Sequence, residues 1–530
     1  MADQLSERLA LLSQLSASPT TNKLLSLLQR GIEKESLRIT PAGKLAQTPH
    51  PKRLGSSLTH PHITTDFSEA LLEFITPVST DIDQTLDFLR QVHTAGYAGL
   101  DDELLWVASM PCVIESDDKI PLAHFGSSNV ARMKTIYRNG LGHRYGRVMQ
   151  TIAGIHYNFS IPEPLWQSLQ QQDLDTRPLQ DYITESYFKL IRNFRRYSWL
   201  FVYLYGASPV VCKSFIKNQS HSLQNLNNGN LYLPHATSLR MGDLGYQSNA
   251  QESLKICYNS LDNYIETLRQ AITNTHPDYE KVGTQTNGEY HQLSTALLQI
   301  ENEFYSTIRP KRVAESGEIP LGALQQRGVE YIEVRCIDVN PYLPLGIDAD
   351  QVRFLDCFLL YCLFKRSPAC DDDDRERINN NLKHVVSHGR APGLVLQTRE
   401  GDRSLVDWGS NLLQEMQPIA DMLDQANACD DYQRVIADQQ KKIHDPSLTP
   451  SAKILHDITT QNKGFLPFAL ELGQQHKKYF EQHGLSAEQE RYFSKQAEGS
   501  ISQHAATEAA QQPSFEDYLA HYYEQYDQLK

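Results

Sequence analysis

Strand-like segments that carry acidic residues at every second position are the feature that most limits the fold of this chain. In the run 31–39, GIEKESLRI, the two-residue period of a β-strand places Glu33 and Glu35 on one face and Ile32 on the other. The two carboxylates are then about 7 Å apart, which is two residue rises along a strand. The pattern predicts a sheet with one apolar face and one face that collects carboxylates.

Two further runs repeat this alternation. Residues 71–77, LLEFITP, place Glu73 inside an apolar stretch shortly after Asp66. Residues 155–160, IHYNFS, alternate apolar side chains with polar ones that begin at His156. Either run by itself is typical of an antiparallel sheet with one face in water.

The run 329–335, VEYIEVR, places Glu333 and Arg335 on a common face. An unpaired carboxylate inside an apolar strand is costly, so Glu73 and Glu333 require cations nearby. Carboxylate oxygens with one imidazole suit Mg²⁺ or Mn²⁺ better than zinc, and the guanidinium of Arg335 suits a phosphate or a carboxylate. The combination indicates metal-assisted phosphoryl chemistry.

Charge and apolar patterning exclude several other classes of protein. The 530 residues include 50 Lys and Arg against 64 Asp and Glu, and the formal charge of −14 argues against an extended surface for DNA or anionic membranes. No apolar run reaches the roughly 20 residues of a membrane helix, and the first residues carry no secretory signal. The eight cysteines form no CxxC pair, which fits reduced thiols. We therefore expect a cytoplasmic protein without a nucleic-acid or membrane partner.

The order of helical and strand-like segments predicts an α+β chain without a βαβ repeat. Short strand-like runs lie between helical blocks such as residues 182–205, and the chain beyond residue 341 is largely helical. Pro513 and Ser514, followed by aromatic and apolar residues at helical spacing, predict a capped amphipathic helix at the end.

Two phosphate-loop patterns fail. Residues 140–146 have one residue too many for GxGxxG. Residues 283–289 have the glycine spacing of a P-loop, but Glu289 occupies the position of the lysine, and a carboxylate there repels phosphate. Neither segment is predicted to bind a nucleotide.

Seven blocks of sequence follow one another in order between about residues 30 and 400. They are RGIEKESLR at 30–38, TTDFSEALLEFIT at 64–76, GIHYNFS at 154–160, GASP at 206–209, QIENE at 299–303, IRPKR at 308–312 and YIEVR at 331–335. This ordered set resembles the proteobacterial glutamate-cysteine ligases, also called γ-glutamylcysteine synthetases. Blocks of this length and order are highly specific.

The resemblance implies a glutamine-synthetase-like α+β fold, in which a curved, mainly antiparallel sheet forms a funnel for the metal and ATP. Surrounding helices and a helical C-terminal extension complete this fold. We accordingly expect a catalytic domain at residues 1–400, with N-terminal helices at 1–29. A helical region at residues 401–530 is expected to pack on it.

The resemblance also assigns roles to site residues. Arg335 matches the basic residue at the transferred phosphoryl group. The metal-binding positions correspond to Glu33, Glu35, Asp66, Glu73, His156 and Glu333. The amino-acid subsites correspond to Tyr137, Arg240, Tyr246 and Tyr305.

The implied reaction joins the γ-carboxylate of L-glutamate to the amine of L-cysteine through a γ-glutamyl phosphate. It uses ATP as co-substrate and Mg²⁺, or Mn²⁺ in its place, and it is the first step of glutathione biosynthesis. The family resemblance favours a monomer. Three alternatives stay open: a ligase of the same fold with another amine acceptor, a metal-dependent hydrolase, and a non-catalytic protein. The last would be expected to lose metal-binding acids, whereas all six positions here carry residues that can bind a metal.

Overall fold

The structure is a computed structural model that describes residues 23–111, 113–216, 220–227, 229–244, 254–315, 317–461 and 463–529. Its strands are β1 (Gln29–Ile39), β2 (Ile63–Thr65), β3 (Leu71–Ile75), β4 (Leu104–Leu105), β5 (Ile155–Ser160), β6 (Val210–Cys212), β7 (Gln224–Asn227), β8 (Asn230–Tyr232), β9 (Gln285–Thr286), β10 (Glu289–Tyr290), β11 (Ile308–Lys311), β12 (Tyr331–Ile337), β13 (Val395–Thr398) and β14 (Gly401–Ser404). Its α-helices are α1 (Ile82–Gly99), α2 (Asn129–Tyr145), α3 (Glu163–Gln172), α4 (Leu179–Tyr205), α5 (Leu261–Thr273), α6 (Pro277–Val282), α7 (Pro320–Arg327), α8 (Ala349–Phe364), α9 (Asp372–His388), α10 (Leu405–Asn427), α11 (Asp431–His444), α12 (Pro450–Thr460), α13 (Phe465–Gln482), α14 (Ala487–Ala509) and α15 (Phe515–Asp527). Short 3₁₀ turns lie at Lys52–Leu54, Asp117–Lys119, Met149–Thr151, Leu239–Met241, Glu301–Glu303 and Pro446–Leu448.

A main sheet of seven strands in the described residues organises the molecule. Its order is β11-β12-β5-β1-β3-β2, and β4 pairs with the end of β1. Every neighbouring pair is antiparallel. The expected antiparallel sheet is confirmed, and the strands that form its centre come from distant parts of the sequence.

The main sheet has two chemically different faces. Ile32 of β1, Tyr157 of β5 and Val334 of β12 point to one face and have no exposed surface. All three belong to the largest hydrophobic core. Because successive side chains of a strand alternate, Glu33 and His156 point to the opposite face. Helices cover the apolar face, and the polar face carries the acidic side chains.

Helices α4 and α8 supply much of the cover on the apolar face. Helix α8 is buried along almost its whole length, and α4 is buried over most of its second half. Residues of α10 and α11 belong to the same hydrophobic core. The C-terminal helices therefore share one core with the sheet, and the division at residue 400 stays a prediction.

The helices near the C-terminus agree with the sequence pattern. Ser514 caps α15, because its side chain accepts a hydrogen bond from the backbone N–H of Asp517. Ser486 and Gln489 form a capping box at the start of α14. At the other end of the chain, the helices expected within residues 1–29 lie mostly outside the described residues, and β1 begins at Gln29.

The two rejected phosphate-loop segments occupy other kinds of structure. Residues 140–145 are the last turns of α2, and residues 283–289 run from the end of α6 through β9 and its turn to the first residue of β10. In the described ranges, no helix is both long and apolar enough to cross a membrane. The seven cysteines that the structure describes are free thiols, and Cys112 lies outside the described residues.

Candidate active site

The polar face of the main sheet lines a cavity of about 560 Å³. Helix α2, the segment 300–307 and helix α15 contribute to its walls. Ten of the eleven residues expected at the site line this one cavity: Glu33, Glu35, Asp66, Glu73, Tyr137, His156, Arg240, Tyr305, Glu333 and Arg335. The eleventh, Tyr246, lies outside the described residues.

The centre of the cavity floor is the pairing of β1 with β5, which places Glu33 opposite His156. His156 Nδ1 lies 3.2 Å from Glu33 Oε2, and Asn158 Nδ2 donates to Glu33 Oε1 at 2.8 Å. Burial opposes ionisation of Glu33, but the hydrogen bond with His156 contributes to a net lowering of its pKa. Burial and the charge of Arg335 lower the pKa of His156, so its imidazole is neutral at pH 7 and carries a lone pair for a metal.

A second pair of carboxyl groups lies where β1 meets β3, because Glu35 is directly opposite Glu73. Burial and the nearby Asp66 raise the pKa of Glu35 to about 8. Burial and the neighbouring carboxylates, Glu33 first, raise the pKa of Glu73 well above its usual range. Carboxyl groups that repel one another in this way hold protons until a cation replaces them.

Glu333 differs from these acids because cations surround it. Arg335 NH1 lies 3.0 Å from its carboxylate and Lys311 Nζ lies 3.5 Å away. His156 Nδ1 is 3.8 Å from the same group. Burial alone would raise the pKa of Glu333, but Lys311 and Arg335 hold it well below its usual range. This carboxylate is therefore ionised before any metal binds.

Three of these side chains could hold a divalent cation together. Glu33, Glu73 and His156 each offer a ligand atom, and the three atoms lie within 4.8 Å of one another. Asp66 follows β2 at the same end of the cavity, where Arg138 NH2 lies 3.9 Å from its carboxylate. Oxygen-rich donors with one imidazole fit a hard divalent ion, and burial with repulsion from Glu33, Asp66 and Glu35 raises the pKa of Glu73, a repulsion that a bound cation would relieve.

Arg240 lies beside the acids expected to bind a metal and is 2% exposed. Its NH1 lies 3.6 Å from Asp338 Oδ1, and its NH2 donates to the backbone oxygen of Arg335 at 3.0 Å. Gly154 permits this approach, because a Cβ atom there would lie 2.1 Å from the NH2 of Arg240. The backbone N–H of Gly154 also donates to Glu35 Oε2 at 2.6 Å. Gly154 thus contacts both Arg240 and Glu35, two of the residues expected at the site.

Two tyrosines face the cavity from different elements. Tyr137 belongs to α2, and its backbone oxygen accepts a hydrogen bond from Gln299 Nε2 at 3.2 Å. Tyr305 follows a 3₁₀ turn, and its hydroxyl donates to Gln150 Oε1 at 3.4 Å. Both residues line the cavity.

Sequence reasoning missed several cationic residues of the cavity. Arg309 and Lys311 lie on β11, and Lys134 and Arg138 lie on α2. The alternation in IRPKR at 308–312 could have assigned Arg309 and Lys311 to the polar face, since an edge strand of this sheet obeys the same two-residue period. No local pattern distinguishes Lys134 and Arg138 from solvated helix residues.

The C-terminal helix is a further part of the site that the sequence did not indicate. Tyr518 and Tyr522 of α15 line the cavity. The hydroxyl of Tyr523 donates to the backbone oxygen of Gln299 at 2.8 Å. The hydroxyl of Tyr526 donates to the carboxylate of Glu301. Helix α15 is therefore fixed to the segment that carries Tyr305.

Comparisons with known proteins agree over nearly the whole chain. A family model described as glutamate-cysteine ligase matches residues 12–385. The glutamate–cysteine ligase of Alcanivorax borkumensis is 52% identical over 501 residues, which cover 94% of this chain and 95% of that protein. The glutamate–cysteine ligase of Pseudomonas aeruginosa is 49% identical over 522 residues, which cover 98% of each chain.

A solved structure has the same fold. The crystal structure of a glutamate–cysteine ligase from Francisella tularensis in complex with AMP has a TM-score of 0.89 and 37% sequence identity, covering 95% of this chain and 99% of that one. The glutamine-synthetase-like α+β fold expected from the sequence is thereby confirmed. With the family model and the relatives at about half identity, it establishes that this chain belongs to the glutamate-cysteine ligase family.

Proposed function

We propose that the cavity joins the γ-carboxylate of L-glutamate to the amine of L-cysteine with cleavage of ATP. A γ-carboxylate oxygen attacks the γ-phosphorus of ATP, which releases ADP and forms γ-glutamyl phosphate. The cysteine amine then attacks the activated carbonyl carbon, phosphate leaves, and the nitrogen loses one proton as the amide forms. The observation that carries the proposal is the convergence of six possible metal ligands and Arg335 on one face of the sheet.

The metal site of this proposal uses Glu33, Glu35, Asp66, Glu73, His156 and Glu333. Mg²⁺, or Mn²⁺ in its place, would neutralise phosphate charge and orient the γ-phosphate when bound there. The proposal is supported by the close ligand atoms of Glu33, Glu73 and His156. It is also supported by the raised pKa of Glu35 and Glu73, since these groups gain most from a bound cation.

Arg335 is the proposed stabiliser of the transferred phosphoryl group. Its NH1 is held by Glu333 at 3.0 Å, so the guanidinium is oriented before substrate binds. A preorganised cation stabilises charge that develops in a transition state without the cost of reorganising solvent. No side chain of the protein has to act as a nucleophile in this scheme.

The amino-acid substrates are proposed to bind among Tyr137, Arg240, Tyr305 and Tyr246. A pocket for cysteine gains little from the thiol itself and rejects larger side chains by shape, at about 1–3 kcal/mol for each methylene. We therefore expect 2-aminobutyrate, which carries a methyl group in place of the thiol, to be accepted. Leucine and phenylalanine should not be accepted. Product analysis with each amino acid tests this choice.

The deciding experiment measures ADP release from Mg-ATP with glutamate alone, cysteine alone and both together. Steady turnover should require both amino acids and a divalent ion. Glu33→Gln should lower turnover on the order of 100-fold or more, because a cation ligand is lost. Glu330→Gln is the matched control, since Glu330 is exposed just before β12 and does not line the cavity. ADP release with another amine but not with cysteine would contradict the assignment.

The cytoplasmic location, the monomeric state and the absence of nucleic-acid or membrane partners stay predictions. Light scattering of the purified chain at several concentrations measures the oligomeric state. We expect one species with the mass of a single chain.

A further inference from the structure

Buried arginine residues in the described part of the chain are almost all compensated by other groups. Arg30 contacts Asp356 at 2.6 Å, and Arg38 contacts Glu103 at 2.8 Å. Two more buried arginines are also compensated, one by a nearby carboxylate and the other by hydrogen bonds to neutral oxygen atoms. Arg240 lies 3.6 Å from a carboxylate oxygen of Asp338, and Arg192 donates to oxygens of Tyr258, Asn259 and Ser367.

Arg309 is the exception among the buried arginines that the structure describes. It is 6% exposed, and its single hydrogen bond runs from NH2 to the backbone oxygen of Asn302 at 3.1 Å. Its Nε has no hydrogen-bond partner. Within the described ranges, no carboxylate lies within the 4.0 Å of an ion pair to Arg309. The side chain lines the active-site cavity.

A buried guanidinium without a carboxylate is unfavourable in the free protein. Transfer of a charged group from water is costly unless hydrogen bonds or an opposite charge replace the lost solvation. Burial and the neighbouring charge of Arg335 both lower the pKa of Arg309. Such a group is retained at little benefit to stability, which is typical of a residue that completes its contacts when a ligand binds.

The charges around Arg309 indicate the kind of ligand. Arg309 is opposite Glu333 in the β11–β12 pair, and Lys311 lies two residues further on the same face of β11. Arg335 lies two residues from Glu333 on β12. Three cations therefore surround one carboxylate. A ligand with several negative charges would balance the positive charges of Arg309, Lys311 and Arg335. A zwitterionic amino acid would bring an ammonium group, which these three cations repel.

We propose that Arg309 is a binding residue for phosphate oxygens of the nucleotide. The inference rests on the proposed use of ATP in this cavity and goes beyond the roles given to Arg335 and the metal ligands. Nε and NH1 of Arg309 have no protein acceptor among the described residues, so the guanidinium keeps N–H donors for charge-assisted hydrogen bonds to phosphate oxygens.

The test compares Arg309→Gln and Arg309→Lys with the unmodified protein in Mg²⁺ buffer. Calorimetric titration with ADP should show affinity at least tenfold weaker for R309Q and less affected for R309K, which keeps the charge but loses the planar set of N–H donors. The KM for ATP should rise more in R309Q than in R309K. The KM for glutamate and for cysteine should change less than twofold. A loss confined to an amino-acid KM would overturn the phosphate assignment.

Thermal unfolding without ligand separates this role from a structural one. R309Q should unfold at the same temperature as the unmodified protein or at a higher one, because it removes an uncompensated buried charge. Mg-ADP should raise the unfolding temperature of the unmodified protein and raise that of R309Q much less. Arg30→Gln is the control for a structural arginine, and it should lower the unfolding temperature because Asp356 loses its partner.

Two outcomes distinguish the inference from the function on which it rests. If the unmodified protein does not bind Mg-ADP, the proposed function fails. If it binds Mg-ADP and R309Q binds it equally well, only the role of Arg309 fails. A lower unfolding temperature of ligand-free R309Q with unchanged affinity for ADP would show that Arg309 is structural.

Discussion

The carboxyl groups of the cavity do not ionise alike, although all belong to the same small volume. Lys311 and Arg335 hold the pKa of Glu333 far below its usual range, whereas burial and the charge of Asp66 raise that of Glu35 to about 8. Glu73 has a raised pKa for similar reasons. At neutral pH the metal-free site therefore contains bound protons that a cation must displace.

The affinity of the metal-free protein for Mn²⁺ should consequently rise with pH. A metal ion binds the ionised carboxylates, so affinity increases as pH rises and levels off once Glu35 and Glu73 are both ionised. The expected slope is on the order of tenfold per pH unit for each proton released. Glu35→Gln should weaken binding and make the slope shallower. Calorimetric titrations with Mn²⁺ at pH 6.5, 7.5 and 8.5 measure this slope. Affinity that does not change with pH would refute the displacement of protons by the metal.

Arg335→Lys should lower kcat more than it weakens binding of either amino acid. Lysine retains the charge but not the planar fork that is oriented by Glu333, so stabilisation of the phosphoryl group is lost selectively. A reduction in kcat on the order of 100-fold is expected from the loss of such a contact. Steady-state kinetics with each substrate varied in turn measure it. A change confined to the KM for cysteine would place Arg335 in the acceptor site instead.

At the scale of secondary-structure elements, α15 illustrates how a terminal helix becomes part of an active site. Its hydroxyl groups reach the backbone of Gln299 and the carboxylate of Glu301, in the segment that leads to Tyr305. Glu508, near the end of α14, accepts a hydrogen bond from the backbone N–H of Ser128 at the start of α2. The last two helices thus connect the two elements that carry Tyr137 and Tyr305.

Removing the hydroxyl that links α15 to this segment should affect amino-acid binding. Tyr523→Phe loses the hydrogen bond to Gln299, whose side chain in turn holds the backbone of Tyr137. We expect the KM for an amino-acid substrate to rise several-fold, while stability falls by only about 0.5–1.5 kcal/mol. Tyr492→Phe removes a similar hydroxyl, which contacts His62 at 2.8 Å away from the cavity, and should leave the kinetics unchanged. Equal kinetics of the two variants would contradict the positioning role of α15.

At the scale of the whole molecule, a buried ion pair joins the apolar face of the sheet to its helical cover. Asp356 of α8 has no exposed surface and contacts Arg30 of β1 at 2.6 Å. It accepts hydrogen bonds from the hydroxyls of Tyr157 on β5 at 2.8 Å and Tyr432 on α11 at 3.3 Å. One carboxylate therefore connects two central strands with two helices.

Asp356→Asn should destabilise the protein by about 3–5 kcal/mol, because it leaves the charge of Arg30 buried without a partner. The affinity for metal should stay near normal, since Asp356 lies on the opposite face from the cavity. Asp350→Asn is the control on the same helix: its ion pair with Arg434 at 2.7 Å is partly exposed, and its loss should cost less than about 1 kcal/mol. Urea unfolding of both variants measures the difference, and equal losses would contradict the special role of the buried pair.

Features that depend only on neighbours along the chain could be predicted before the structure was known. Glu333 and Arg335 share a strand face because a strand has a period of two residues, and their ion pair at 3.0 Å follows from that. The helix from Phe515 was readable from Ser514 and the helical spacing after it. The ordered motif blocks also identified the family, since residues of one active site occur together in these blocks.

Which of these elements meet depends on contacts between distant segments, and the sequence pattern does not specify those contacts. Strand pairing puts His156 opposite Glu33 and Glu73 opposite Glu35, and those registers depend on packing between segments far apart in sequence. The same holds for Arg309, whose lack of a carboxylate is visible only when every neighbour is in place. It also holds for α15, because a helical period defines an apolar face but not the surface that the face will cover.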